Sequence, residues 1–101
     1  MRLSEHDRLA IRSASAEVAG PNARAYLFGS RTRDDLLGGD IDVLVELAST
    51  RSTHERLLVS VRTAARLQRL IGERKIDVVV ADALTPETSL LRAAREQAMA
   101  L

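Results

Sequence analysis

Three aspartates and one short turn are the residues of this sequence best suited to chemistry. Gly29 and Ser30 are followed, after nine intervening residues, by Asp40-Ile41-Asp42. Residues two apart on a strand share a face, so the two carboxylates of this motif are predicted to project together. Like charges this close repel each other unless a cation lies between them. Mg²⁺ is the hard cation that proteins usually hold with one or two carboxylates, several waters and the phosphates of a substrate.

A third carboxylate, Asp77, lies within an apolar segment. An ionised aspartate at such a position is costly unless it is paired or bound to a metal. If its strand pairs beside that of Asp42, Asp77 completes a cluster of three carboxylates. Local alternatives stay open, because Asp40 and Asp42 can simply cap the start of a strand. Asp77 can likewise be an edge-strand acid that pairs with Lys75 or Arg74.

The turn at Gly29 supplies groups that suit a phosphate. Glycine permits a close backbone approach and an unusual turn, and Ser30 can offer its hydroxyl and its backbone N–H to a phosphate. Arg31 and Arg33 can add positive charge. The alternatives are that Ser30 is an ordinary helix cap and that the two arginines lie in a solvated loop. Together with the carboxylates, these residues predict a site for Mg²⁺ and a nucleoside triphosphate, where the metal bridges phosphate oxygens.

Seven elements are predicted to position these residues, in the order α-β-α-β-α-β-α. Capping residues and apolar periodicity predict helices over 5–19 and 54–71, and a last helix that is capped by Thr85 and runs to the end. Strands are predicted over 24–28, 40–47 and 75–81, with a short helical turn after Ser30. The pattern favours an α/β (α+β) fold, a small mixed β-sheet flanked by helices, in one domain that covers residues 1–101.

Each helix has an apolar stripe that is expected to pack. In the first helix the stripe comprises Leu9, Ile11, Ala14, Ala16 and Val18. In the long helix it comprises Leu57, Leu58, Val61, Ala64, Ala65 and Ile71, with Arg62, Arg66 and Arg69 on the other side. In the last helix Leu90, Leu91, Ala94 and Ala98 are expected in the core or in a subunit contact.

Composition excludes several classes of protein. Hydrophobic residues make up 46%, which suffices for a core, and the net charge of +1 lacks the electropositive character of a nucleic-acid coat. The aromatic residues are Tyr26 and Phe28, so no base-stacking platform and no direct nucleic-acid binding are expected. There is no cysteine for disulfides or thiolate metal sites. Apolar runs are far shorter than the roughly 20 residues that span a bilayer, so a cytoplasmic location is expected.

The quoted motifs resemble those of the minimal nucleotidyltransferase domain, within the DNA polymerase β-like superfamily. The resemblance rests on Gly29-Ser30, on Asp40-Ile41-Asp42 with the apolar run after it, and on Asp77 followed by valines. Many relatives have ten residues between the Gly-Ser and Asp-x-Asp motifs, whereas this chain has nine.

This resemblance implies Mg²⁺ as cofactor and ATP as substrate. It implies that Asp40, Asp42 and Asp77 are the catalytic and metal-binding carboxylates and that Ser30 contacts phosphate. It also implies an all-helical HEPN-type toxin partner, to whose tyrosine the enzyme, as antitoxin, transfers AMP. The alternative is a catalytically inactive binding subunit that neutralises such a partner by forming a complex. The small size of the chain also suits association with a second copy.

Overall fold

A computed structural model describes residues 3–32 and 40–101, with Ser30 and Thr32 described by their backbone alone. The helices are α1 (Glu5–Ala19), α2 (Thr53–Ile71) and α3 (Ser89–Gln97), and a 3-10 turn covers Gly29–Thr32. The strands are β1 (Arg24–Phe28), β2 (Ile41–Glu46), β3 (Ile76–Ala81) and β4 (Met99–Ala100). None of these helices combines the length and apolar character needed to cross a bilayer.

The first two helices begin at the predicted caps. The hydroxyl of Ser4 accepts a hydrogen bond from the backbone N–H of Asp7 at 3.1 Å. At α2 the Ser52 hydroxyl accepts from the Glu55 N–H at 3.1 Å, and the Glu55 carboxylate accepts from the Ser52 N–H at 3.4 Å. This reciprocal capping box satisfies donors that the first helical turn leaves unpaired.

The predicted start and end of the last helix are wrong. Thr85 does not cap it, because its hydroxyl accepts from the Asp82 N–H at 2.9 Å and donates to the Asp82 carboxylate at 3.1 Å, which closes a turn after β3. Thr88 caps α3 instead, by accepting from the Leu91 N–H at 3.2 Å. The helix ends at Gln97, and the next residues form β4, a strand that the sequence analysis missed.

The strands form one mixed sheet in the order β3-β2-β1-β4. Strand β1 pairs with β2 and β4 antiparallel, while β2 and β3 run parallel. The predicted class, a small mixed sheet flanked by helices, is therefore confirmed, with a fourth strand beyond the predicted three among the described residues.

Helices pack on both faces of the sheet. One face carries Ile41, Val43 and Val45 of β2 and packs against α1 and α2. The other face carries Leu44 and packs against Leu91 and Ala94 of α3. The alternation along β2 is the one predicted, and it places Asp42 on the same face as Leu44.

The predicted apolar faces of the helices are only partly right. In α2, Leu57 and Val61 are 59% and 57% exposed, and the residues that enter the core are Val59, Thr63 and Leu67. The periodicity misses this face because a polar threonine interrupts it. Similar departures occur at Leu9 and Ala16 of α1 and at Leu90 of α3, which are exposed.

Candidate active site

Asp42 and Asp77 lie side by side on neighbouring strands. Each is the second residue of its strand, and the parallel register of β2 and β3 makes the two residues direct partners. Paired residues of adjacent strands project on the same face of a sheet. Besides burial, the charge of Asp77 is close enough to raise the pKa of the Asp42 carboxyl group. The structure thus brings together two sequence-predicted carboxylates that lie on different strands and far apart in the chain.

The electrostatics of Asp42 reflect this crowding. Burial raises the pKa of the half-buried Asp42 above its ordinary value, and the neighbouring charges of Asp77 and Asp40 raise it further. The positive charge of Lys75 acts in the opposite direction. A site that accumulates negative charge in this way stabilises a bound cation, because the cation relieves the repulsion.

Gly29 provides the other wall of the site. The antiparallel pairing of β1 with β2 sets Phe28 opposite Asp42, and Gly29 follows with a positive φ of 80°. A Cβ at Gly29 would stand 3.3 Å from the Asp42 Cγ, and closer still to the Asp42 Oδ2. The carboxylate of Asp42 therefore occupies the space that any side chain at position 29 would need.

Asp40 lies two residues before Asp42 and forms an ion pair with Lys75. Its carboxylate Oδ2 is 3.5 Å from the Nζ of Lys75. Its backbone carbonyl accepts a hydrogen bond from the Arg31 Nε at 3.1 Å. Within residues 3–32 and 40–101, no three acidic, histidine or cysteine side chains are grouped closely enough to hold a metal ion together. The structure thus joins Asp42 with Asp77 and holds the carboxylate of Asp40 toward Lys75.

The structure describes only some of the residues that were predicted to contact phosphate. Gly29 and Ser30 open the 3-10 turn that follows β1, close to the start of β2. The predicted phosphate contact through the Ser30 side chain, and the whole of Arg33, lie outside the described residues. Arg31 bonds the backbone of Asp40, so its predicted phosphate contact remains a prediction.

Two residues near the site were not predicted as site residues. The side-chain carbonyl of Gln97, the last residue of α3, accepts a hydrogen bond from the Gly29 N–H at 3.0 Å. No sequence signal indicates this contact, because it depends on how α3 packs. Lys75 is the second residue near the site that was not predicted. The sequence does carry a signal for it, because this single lysine lies two residues before Asp77 and such spacing places both on one side of an extended chain. As in the alternative interpretation, Asp77 lies exposed on an edge strand, β3. The pairing in that alternative is not seen, since Lys75 pairs with Asp40, and Arg74 bonds Asp7 at 2.6 Å.

The donor set fits a hard divalent cation. Carboxylate oxygens are the protein ligands that Mg²⁺ prefers, and it commonly takes only one or two of them together with substrate phosphates. Asp42 and Asp77 provide such a pair: Asp42 is half-buried, Asp77 is exposed, and the charge of Asp77 opposes ionisation of Asp42. The absence of a side chain at Gly29 lets the Asp42 carboxylate lie directly against the backbone of the turn.

Comparison with known proteins gives a consistent result. The nucleotidyltransferase domain family matches residues 10–98. Comparison with curated proteins finds no match. The fold is similar to a crystal structure of a toxin–antitoxin with AMP-PNP, at 23% identity and a TM-score of 0.61, covering 92% of this chain and 70% of that one.

Two further structures show the same fold. One is the toxin–antitoxin MntA-HepT, at 21% identity and a TM-score of 0.60, covering 96% of this chain and 70% of that one. The other is a rebuilt structure of the tri-AMPylated Shewanella oneidensis HEPN toxin in complex with MNT antitoxin. It gives 22% identity and a TM-score of 0.55, covering 92% and 70%. The predicted nucleotidyltransferase is confirmed by the family match: the chain belongs to the nucleotidyltransferase domain family.

Proposed function

We propose that this chain transfers AMP from ATP, with Mg²⁺, to a hydroxyl of a partner protein, and that the acceptor is a tyrosine of a HEPN-type toxin. The antitoxin role follows from that modification. The observation that carries the proposal is the register of Asp42 with Asp77 against the glycine turn. Two carboxylates paired across strands destabilise a sheet, so a functional reason for keeping both is expected.

Each residue has a distinct role in this reaction. Asp40 and Asp42 hold the metal, with Asp77 as the third carboxylate. When bound, Mg²⁺ supplies charge neutralisation at the phosphates. The acceptor oxygen attacks the α-phosphorus in line, its proton passes to Asp77, and the bond from the α-phosphorus to the bridging oxygen breaks to release pyrophosphate. The turn at Gly29 and Ser30 orients the phosphates, and Arg31 and Arg33 balance their charge.

The structural relatives support both the donor and the acceptor. One of them holds AMP-PNP, a nucleotide with an adenine base and three phosphates. Another pairs an MNT antitoxin with a HEPN toxin that carries AMP groups. The present chain has a similar fold and sets a glycine turn beside a pair of carboxylates.

The test is transfer of label from ATP labelled at the α-phosphate to a purified HEPN-type partner. We expect a labelled partner with the wild type, and at least about a 100-fold lower rate with Asp42→Asn, because metal-held charge stabilises the transition state by several kcal/mol. The control is Glu87→Gln, which removes a carboxylate 45% exposed in its ion pair with Arg92; it should label like the wild type. A complex that forms and inhibits the partner without any label would instead support the inactive binding subunit.

A further inference from the structure

Lys75 stands in line with the three carboxylates although nothing in the proposed reaction uses it. The parallel register pairs Ile41 with Ile76, and Asp40 and Lys75 immediately precede these residues, just before the starts of β2 and β3. The Lys75 Nζ is 3.5 Å from the Asp40 Oδ2. The ion pair of Lys75 with Asp40 therefore lies beside the start of β2 and β3, two residues before the paired Asp42 and Asp77.

The folding of the strands does not require the Lys75 side chain. Its backbone carbonyl accepts the hydrogen bond from the Ile41 N–H at 3.0 Å, and any residue could provide that group. The ammonium-bearing side chain is 69% exposed and its partner Asp40 is 48% exposed. Ion pairs as exposed as this contribute little to stability and exchange partners readily.

The neighbouring arginine cannot replace this cation. Arg74 directs its Nη1 to the buried carboxylate of Asp7 at 2.6 Å, which ties it to the start of α1. Lys75, in contrast, is the cation whose charge opposes the repulsion at Asp42. A flexible ammonium beside a carboxylate cluster suits a group that moves between two anionic partners, because lysine is a compact point charge on a flexible stem.

We propose that Lys75 is a functional residue of this site: it holds Asp40 until a divalent cation binds, and then contacts a phosphate oxygen of the nucleotide. The inference rests on the proposed function for the identity of the nucleotide. It explains why the Asp40 carboxylate points to a lysine in a site where the other carboxylates converge. The ammonium released from Asp40 neutralises charge on the triphosphate without leaving the site.

The proposal predicts two opposite shifts in one variant. Lys75→Met keeps the length of the side chain and removes its charge. Mn²⁺ should bind the protein without nucleotide about two- to fivefold more tightly, because an exposed competitor for Asp40 is lost. In the presence of Mn²⁺, the affinity for ATP should fall by at least about tenfold, because a charge-assisted hydrogen bond to phosphate is lost. Spin resonance of free Mn²⁺ measures the first affinity, and equilibrium titration with a fluorescent ATP analogue measures the second.

Two further variants sharpen the comparison. Lys75→Arg should recover most of the ATP affinity, since a guanidinium also binds phosphate. Arg69→Met removes one positive charge from the exposed face of α2, away from the site, and should change neither affinity. A shift shared by Arg69→Met and Lys75→Met would reveal a general charge effect and overturn the proposal.

The outcomes separate this proposal from the proposed function. Neither affinity depends on AMP transfer, so opposite shifts in a protein that transfers no AMP would support the role of Lys75 and contradict only the transfer. If the wild type transfers AMP and Lys75→Met has unchanged affinities for Mn²⁺ and ATP, only the role of Lys75 is overturned. A wild type that binds neither Mn²⁺ nor ATP would overturn both.

Discussion

Gly29 and Asp42 constrain each other, because the carboxylate fills the space where a side chain at position 29 would be. Gly29→Ala adds a methyl group at a φ of 80°, a conformation that costs other residues roughly 1–2 kcal/mol. The methyl group would also meet the Asp42 carboxylate at less than van der Waals distance and displace it. We expect a melting temperature lower by about 4–8 °C or more and a loss of AMP transfer of at least about tenfold, measured by thermal unfolding and by the labelling assay.

Gly72 offers a matched control for this substitution. It ends α2 with a φ of 87°, and an added Cβ would meet nothing within 4 Å. Gly72→Ala therefore also places an alanine at a positive φ, but without the contact to a carboxylate. Gly72→Ala should lower the stability of the fold and leave the rate of AMP transfer unchanged. If Gly29→Ala also transfers AMP at the wild-type rate, the close packing of Gly29 against Asp42 has no role in the reaction.

Asp42 is expected to lower the stability of the fold at neutral pH. Because folding raises its pKa, the folded state holds the proton more tightly than the unfolded chain does. Stability from this group is therefore lost as the pH rises through the folded-state pKa, and the ionised group is unfavourable at neutral pH. Asp42→Asn should unfold at an equal or higher urea concentration than the wild type at pH 7, with the difference shrinking toward acid pH.

Mg²⁺ should stabilise the wild type more than it stabilises Asp42→Asn. It relieves the repulsion between Asp42 and Asp77, so it should raise the melting temperature of the wild type by preferential binding to the folded state. Asp42→Asn lacks that repulsion and should respond weakly. An Asp42→Asn variant that is less stable than the wild type at neutral pH would show that the aspartate has a structural role instead.

The turn after β3 is organised by one buried carboxylate. The Asp82 side chain accepts hydrogen bonds from the backbone N–H groups of Arg51 and Leu84, each at 2.9 Å, and from the Thr85 hydroxyl at 3.1 Å. The guanidinium of Arg56 is 3.4 Å away. These contacts join the end of β3 to the start of α2 and lower the pKa of Asp82, chiefly through the Arg51 N–H.

The pH dependence of stability should reveal this turn. A lowered folded-state pKa gives stability that is fully present above the unfolded pKa of about 3.9 and is lost as the pH falls through the folded-state value. Asp82→Asn should therefore unfold at a clearly lower urea concentration than the wild type at pH 7, and the two midpoints should approach each other near pH 3.

An exposed carboxylate serves as the control for Asp82. Glu17 bonds Arg66 at 2.8 Å between α1 and α2, with both side chains at least 40% exposed. Such surface pairs contribute little, so Glu17→Gln should keep the wild-type midpoint at every pH. A pH-independent effect of Asp82→Asn would mean that its shape, and not its charge, organises the turn.

Helix and strand bounds were predictable where local chemistry sets them. Ser4 and Ser52 sit where the first turns of α1 and α2 need an acceptor, and both caps form. The last helix was misplaced because Thr85 and Thr88 carry the same cap signal, and only the contact with Asp82 decides between them. Strand β4 was missed because two residues have no readable period, and their pairing with β1 depends on where α3 ends.

The sequence predicted which carboxylates could form the site, but their meeting depended on the order of the strands in the sheet. Alternation along β2 predicted the face of Asp42, and Asp77 was expected to join it only if its strand paired beside β2. The parallel register of β2 and β3 makes Asp42 and Asp77 partners. The ion pair of Asp40 with Lys75 and the bond from Gly29 to Gln97 needed the fold, because both are set by neighbouring elements. The burial of Val59 and Leu67 in place of Leu57 likewise depends on how α2 lies against α1 and the sheet.

The central claim, that carboxylates of β2 and β3 hold a divalent cation against the phosphates of a nucleotide, has one direct measurement. Crystals grown with Mn²⁺ and a non-hydrolysable ATP analogue allow the cation to be located by its anomalous scattering. We predict a peak about 2.1 Å from carboxylate oxygens of Asp42 and at least one of Asp40 and Asp77, bridged to the phosphates beside Gly29. A nucleotide bound elsewhere, or a peak that touches none of these carboxylates, would contradict the account.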